Sequence, residues 1–301
     1  MSQDVLAAKR KPKLTARSPI SPLFHDRSFT VGLGILLTLV FLGVAAPLVS
    51  PYPAQGRGET VPSPCASPAG VCPPSLAHPF GTEVGGRDLM SRIFFGLRTS
   101  IEISVIVVCL AFIIGLVVGV TAGFFGGWLD ELLMRLTDIF LSFPHIILAL
   151  IIVATLGPGF KDVIIALGVT WWPYFARLTR AQALSVKSAP YVLLSTYYGT
   201  PRVKVILGHI IPASISPLLI QATLDLGTVV LAEAGLSFLG LGVRPPTADL
   251  GRIIFESVNY VSTAWWYPLF PGLFLALLVV GFNLVGDSLR ERFDPTLRRS
   301  I

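Results

Sequence analysis

The chain has 301 residues, 53% of them hydrophobic and only 13% charged, with a mean hydropathy of +0.73. Soluble domains carry about 25% charged residues, so this composition excludes an ordinary water-soluble globule and points to a bilayer. The net charge of +6 is divided among separate loops instead of forming one stripe, which argues against a nucleic-acid partner.

A hydrocarbon core about 30 Å thick takes about 20 apolar residues per helix. Residues 1–27 make a basic arm with Pro and Ser, expected to stay cytoplasmic without packed structure. The apolar stretch 28–56 is too long for a signal-peptide core of about 7–15 residues, so it predicts a retained helix over 28–50. Prolines then crowd residues 51–79. Such a run cannot pair its backbone regularly, which makes 51–100 an expected extracytoplasmic loop. Cys65 and Cys72 both lie there, on the side where disulfides persist; a bridge is the expectation and two free thiols the alternative.

Residues 103–129 predict a second helix. Its Gly115, Gly119 and Gly123 repeat every four residues, a spacing that admits another helix from this subunit or a partner; Cys109 is expected to be packed. Residues 139–160 predict a third, where His145 beside Pro144 is a candidate for lining a pathway. The fourth, 163–176, is short, and Arg177 and Arg180 at its end could reach the headgroups and let it span. The fifth runs over 210–224 and on past Asp225 to 232, and the sixth over 257–286. The expected fold is an all-α membrane protein with six transmembrane helices, a five-helix core over 101–288 and a tail over 289–301. Cytoplasmic loops hold the excess of Lys and Arg. With both termini inside, 16 of the 23 basic residues fall on the inner side.

Several chemistries are missing. No Gly-Lys dipeptide occurs, so the phosphate-cradling G-x-x-x-x-G-K-[ST] loop is absent. The four histidines are scattered with no metal-ligand spacing, and Gly235 to Gly240 misses the G-x-S-x-G nucleophile elbow by one residue. No catalytic residue, metal or cofactor is expected on this chain. Two acids interrupt the fifth stretch, Asp225 and Glu233. An acid at a helix centre costs about 2.5–3.5 kcal/mol, so neither should face lipid. They lie about 80° apart around a helix and can look toward one cavity or neighbour. Both are pathway candidates; for Asp225 an internally paired role is favoured, and for Glu233 a wet position at the outer interface is the alternative.

The cytoplasmic segment 189–212 reads as helix, corner, helix. Pro190 can open a helix and Gly199 can end it in the left-handed region. Thr200 and Pro201 then form an N-cap and first-turn pair for a second helix, with Val203, Ile206, Leu207, Ile210 and Ile211 on one face. Pro212 marks the turn back into the membrane. Leu194, Tyr197 and Tyr198 would serve as apolar anchors for a groove on a soluble partner; an amphipathic element lying on headgroups is the alternative.

From these residues the chain resembles the C-type permease subunit of bacterial oligopeptide and dipeptide ABC importers. The resemblance rests on Trp172-Pro173-Tyr174 with Arg177, on Tyr191-Val192, Gly199, and Ile210-Ile211-Pro212. Upstream it includes Gly81-Thr82-Glu83 and Gly85-Gly86-Arg87-Asp88. Downstream it includes the runs GLSFLGLGVRPPT from Gly235 and FNLVGDSLRERFDP from Phe282. It covers residues 20 to 296 in order.

The resemblance implies the type I ABC importer permease fold in a bacterial plasma membrane. It also implies a homologous second permease, two ATPase subunits using ATP and Mg, and an extracytoplasmic binding protein. The loop with Tyr191, Val192, Leu194, Tyr197, Tyr198, Gly199, Pro201 and Pro212 would dock on the ATPase. One departure stands out: Leu193-Leu194-Ser195 replaces the family's Glu-Ala-Ala. Short peptides are the default cargo; nickel complexes or haem on the same machinery are alternatives, as is a secondary transporter.

Overall fold

The computed structural model describes residues 26–62, 65, 67 and 69–293, so most of the expected arm and the end of the tail lie outside the described residues. Helix α1 (Arg27–Val44) opens on Asp26, whose carboxylate accepts from the Ser28 amide. Its buried Phe29, Gly32, Leu36, Leu39 and Gly43 recur at helical spacing, as one packed face requires. Two short turns follow, α2 (Ala46–Val49) and α3 (Pro53–Gly56).

Helix α4 (Leu89–Phe125) has 37 residues and is about 55 Å long at 1.5 Å per residue, more than a bilayer needs. It begins at Leu89, so the loop expected to reach residue 100 is shorter. Asp88 caps it by accepting from the Ser91 amide and hydroxyl at 2.8 and 2.6 Å. Leu89, Ile93 and Leu97 are fully buried, which gives this polar-looking stem a core of its own.

Helices α5 (Gly127–Leu141) and α6 (His145–Leu156) meet at 84°, where one straight third helix was expected over 139–160. Pro144 explains the break, because it has no amide hydrogen and disfavours helix in the residue before it. Helix α6 alone is about 18 Å long, too short to cross, so a crossing here needs α5 as well.

Helix α7 (Phe160–Lys187) extends well past residue 176. Then come α8 (Pro190–Tyr197), α9 (Arg202–Val205), a π-helical turn over Ile206–Ile210, and α10 (Ile211–Phe238). The chain does not turn at Pro212, contrary to expectation; Pro212 sits in the first turn of α10. The turn before it bonds Ile211 N–H to Ile206 O, the wider pattern that lets a helix absorb a local irregularity. Helix α11 (Leu250–Ser257) leads through a 3-10 turn to α12 (Trp266–Phe293), so helix continues into the stretch read as a tail from 289.

Among the described residues four helices are long and apolar enough to cross a membrane: α1, α4, Arg202–Phe238 and α12, with a fifth if the bent pair counts as one. Helix α7 has ample length, about 42 Å, but its polar second half keeps it out of that set.

The most extensive helix pairing is α4 on α7, and the three glycines make it possible. A Cβ on Gly115 would stand 2.2 Å from Phe175 Cβ, one on Gly119 2.5 Å from Thr179 Cβ, and one on Gly123 2.7 Å from Ala183 Cβ. The contact is therefore within this subunit. One core lies between α4, α6, α7 and α10, with Trp171, Trp172 and Phe175 at its centre. A second joins α1, α4, α11 and α12 around Leu89, Leu97 and Tyr267. Cys109 is exposed on α4 and is not packed within the chain; Val105, Ile106, Leu110 and Ile113 are exposed as well, an apolar surface suited to lipid or another subunit.

The segment before α4 folds into a cap. Cys65 and Cys72 are joined in a disulfide, and Cys72 N donates to Thr82 Oγ1 at 2.8 Å. Buried Glu83 accepts from Arg92 and lies 2.6 Å from Arg87. Burial pushes its carboxyl above the ordinary range, partly offset by those two guanidiniums. Arg92 reaches across to the carbonyls of Gly56 and Pro246, tying the cap to the loop after α10. His78 pairs with Asp88 at 2.9 Å, so it is held in place as a structural partner of the capping residue.

Candidate functional site

The segment 189–212 forms a projecting knuckle. Ala189 caps α8 and Pro190 fills its first position, where a missing amide hydrogen costs nothing. Val192 is 1% exposed and roots the helix, while Tyr197 and Tyr198 at its tip are 86% and 82% exposed. Tyr191 and Leu194 are more than half exposed. The Tyr191 ring meets His209 edge-on at 5.7 Å, bracing the two arms of the knuckle.

Gly199 ends α8 at φ +79°, a left-handed conformation that L side chains resist. The corner is closed by Gly199 N–H to Thr196 O at 3.0 Å and Thr200 N–H to Ser195 O at 3.1 Å, and Ser195 Oγ donates to Thr200 Oγ1 at 3.0 Å. Thr200 and Pro201 do not form the expected pair: the next helix starts at Arg202, Pro201 is its cap, and no side chain caps it. The Thr200 hydroxyl is engaged by Ser195 instead. The expected apolar face also divides. Val203 and Leu207 are 65% and 60% exposed, whereas Val205 and Ile210 are buried. Those buried residues are five apart, matching the extra residue that a π turn inserts.

A groove of about 490 Å³ lies beside the knuckle, between Phe124 and Phe125 of α4 and Leu193 and Tyr197 of α8, with Lys187 and Arg202 at its sides. Lys187 Nζ donates to Phe124 O at 2.6 Å and lies over the Phe124 ring. It satisfies a carbonyl at the end of α4 and fixes the base of α8. Arg180 grips Asp130 with two bonds of 2.6 and 2.7 Å, and Arg177 reaches Asp138 at 2.5 Å. These arginines, expected to snorkel to headgroups, fasten α5 to α7.

The pathway candidates fall in two places. Asp225 is 9% exposed and accepts from Gln221 Nε2 at 3.0 Å, with the Trp171 indole beside it. The other side of Trp171 meets His145 edge-on, centroids 4.7 Å apart. His145, Trp171 and Asp225 are thus gathered where α6, α7 and α10 meet. Glu233 looks elsewhere. It is fully buried and accepts from Ser100 Oγ at 3.0 Å and Ser237 Oγ at 3.1 Å, with buried Asp249 next to it. The two acids have different partners, and Glu233 is buried between α4, α10 and the start of α11 instead of wet at the interface.

Sequence reasoning missed Trp171, Ser100, Asp249, Asp130 and Lys187. Asp130 and Asp138 on α5 carried a usable signal, since each needed a cation near the bilayer. Their partners are about 40 to 50 positions away, which no local pattern reveals.

A chain of long apolar helices crossed by buried polar contacts, with a rigid projection of exposed aromatic side chains on one face, defines an integral-membrane subunit built to engage something outside the bilayer. A model of the family "Binding-protein-dependent transport system inner membrane component" matches residues 115–299, and the chain belongs to that family. It is therefore a multi-pass inner-membrane component of an ABC transport system, with the all-helical permease fold. Among similar proteins is the dipeptide transport system permease protein DppC of Alkalihalophilus pseudofirmus, 36% identical over 94% of this chain and 90% of that protein. The probable D,D-dipeptide transport system permease protein DdpC of Escherichia coli is 41% identical over 75% of this chain and 76% of that one. The di/tripeptide transport system permease protein DppC of Pseudomonas aeruginosa is 35% identical over 96% of each.

Proposed function

We propose that this chain forms half of the translocation pathway of an ATP-driven importer of short peptides. It crosses the membrane six times with both termini in the cytoplasm, α7 and the α5–α6 pair supplying the crossings beyond the four long apolar helices. A homologous permease supplies the other half, an extracytoplasmic binding protein delivers the peptide, and two ATPase subunits hydrolyse ATP with Mg. The chain itself carries no catalytic residue and binds no cofactor.

The observation that carries this reading is the knuckle. Tyr197 and Tyr198 stand exposed on a corner held by backbone hydrogen bonds, a shape suited to insertion into a groove on a soluble partner. Residues 189–212 join α7 to α10, so a partner that moves the knuckle acts as a lever on the ends of both helices. The names of the three relatives favour peptides as cargo. The test is reconstitution of all subunits in proteoliposomes with a labelled dipeptide. Uptake that requires ATP and the ATPases supports the reading; uptake that persists without them, driven by an ion gradient, overturns it.

A further inference from the structure

The charge on the knuckle says what kind of surface receives it. From residue 177 to 224 the sequence contains no Asp or Glu. The acids of neighbouring α5 are already engaged, Asp130 by Arg180, Asp138 by Arg177 and Glu131 by Arg135. Lys187 is turned back onto the Phe124 carbonyl. Arg202 and Lys204 are left exposed, with no ion pair among the described residues. Around them Tyr197, Tyr198, Val203 and Leu207 are each at least 60% exposed. Residues 189–212 present an aromatic and aliphatic centre and a rim of two cations unpaired among the described residues, with no carboxylate of their own.

We propose that the ATPase surface gripping this knuckle is an apolar cleft rimmed by Asp and Glu, and that Arg202 and Lys204 supply the cationic half of the contact. This rests on the importer reading above and adds the sense of its electrostatics. Exposed aromatic residues act as anchors at interface centres, and charges at the rim set register and speed of encounter. Leu193 lines the same groove as Arg202 and brings no charge, so attraction across the contact must come from carboxylates on the other side. A shaped cleft fits this geometry better than an anionic membrane surface. The corner is fixed by the Ser195–Thr200 bonds, and a lipid surface asks for no such fixed shape.

The experiment uses the full assembly in nanodiscs, with ATPase affinity and peptide-stimulated ATP hydrolysis measured from low salt to about 1 M, where the screening length falls to about 3 Å. The wild type should lose about tenfold in affinity, as two exposed charge pairs allow. The double variant Arg202→Gln, Lys204→Gln should show that weak affinity already at low salt and a flattened salt response, with an unchanged melting temperature. A variant that keeps the wild-type affinity and salt response overturns the proposal. So does a wild type indifferent to salt, or an affinity that follows the anionic-lipid content of the disc. ATPase subunits that fail to bind the wild type under any condition overturn the importer reading itself, which keeps the two failures apart.

Discussion

The seam between α4 and α7 can be tested by adding a single methyl group. In Gly115→Ala the new Cβ would stand 2.2 Å from Phe175 Cβ and 2.8 Å from the Ala176 amide nitrogen. Carbon atoms rest about 3.5–4.0 Å apart, so the helices must part by about 1.3 Å or more at that level. Neither contact is the free end of a side chain: one atom is bonded to the α7 backbone and the other belongs to it. Gly119 and Gly123 lie on the same seam, up to about 12 Å farther along, so parting at one glycine loosens contacts at the others. Overpacking costs about 1–3 kcal/mol, and the upper end applies here. Gly34→Ala is the control, because nothing lies within 4 Å of its Cβ position and helix propensity favours Ala by up to about 1 kcal/mol. Thermal unfolding of the detergent-purified protein should place Gly115→Ala several degrees below the wild type and Gly34→Ala at or above it. Pairing Gly123→Ala with Ala183→Gly should recover part of its loss, not all, because Arg180 O would still stand 2.9 Å away. Equal melting of Gly115→Ala and Gly34→Ala would refute the close seam.

Four further outcomes follow from the same geometry. Tyr197→Ala with Tyr198→Ala should cut ATPase retention at least tenfold while leaving the melting temperature unchanged, since both rings are over 80% exposed; pull-down and thermal melts read the two effects. Gly199→Val should lower peptide-stimulated ATP hydrolysis, because a β-branched residue at φ +79° costs about 1–2 kcal/mol or more locally and reshapes the corner. Cys65→Ser should lower the melting temperature by freeing the loop up to Cys72, a constraint worth about 2–3 kcal/mol; a reductant should reproduce the shift in the wild type and do nothing to the variant. Trp171→Ala should reduce peptide uptake in proteoliposomes while ATPase binding persists, since it removes the ring between His145 and Asp225 far from the knuckle.

What sequence reasoning recovered and what it missed divide along a physical line. Composition and apolar runs set the class, because burial in lipid leaves few sequence options. Local chemistry placed the proline start of α8 and the glycine corner at 199, since each depends on one residue's own dihedral limits. The four-residue glycine spacing located a helix seam but could not say which helix fills it. Errors came where a neighbour decides the outcome. The N-terminal stem of α4 is helical because the cap buries Leu89, Ile93 and Leu97, although its own pattern is mixed. The face of Val203 and Leu207 went the wrong way because a π turn shifted the register, and nothing in the local spacing marks such a turn. Glu233 could be read as a pathway acid or an interfacial one, and neither reading foresaw that Ser100, well over a hundred positions earlier, closes over it.

The position of Trp171 and Asp225 links a movement of the knuckle to the interior of the helix bundle. Trp171 sits about 24 Å from the C-terminal end of α7 and Asp225 about 21 Å from the start of α10, so they meet at nearly equal distance from the knuckle. The knuckle joins the ends of those two helices. Helix α7 cannot slide freely, because the glycine seam and the Lys187–Phe124 bond clasp it to α4 and two ion pairs clasp it to α5. A pull on the corner therefore moves α10 against an anchored bundle, and changes the α7–α10 spacing where Trp171 lies beside Asp225. Asp225 accepts there from Gln221 Nε2 and lies beside the Trp171 indole. A packed apolar contact has one preferred fit, whereas an acid held by a neighbouring amide and an indole can exchange hydrogen-bond partners, which is what a two-state element requires.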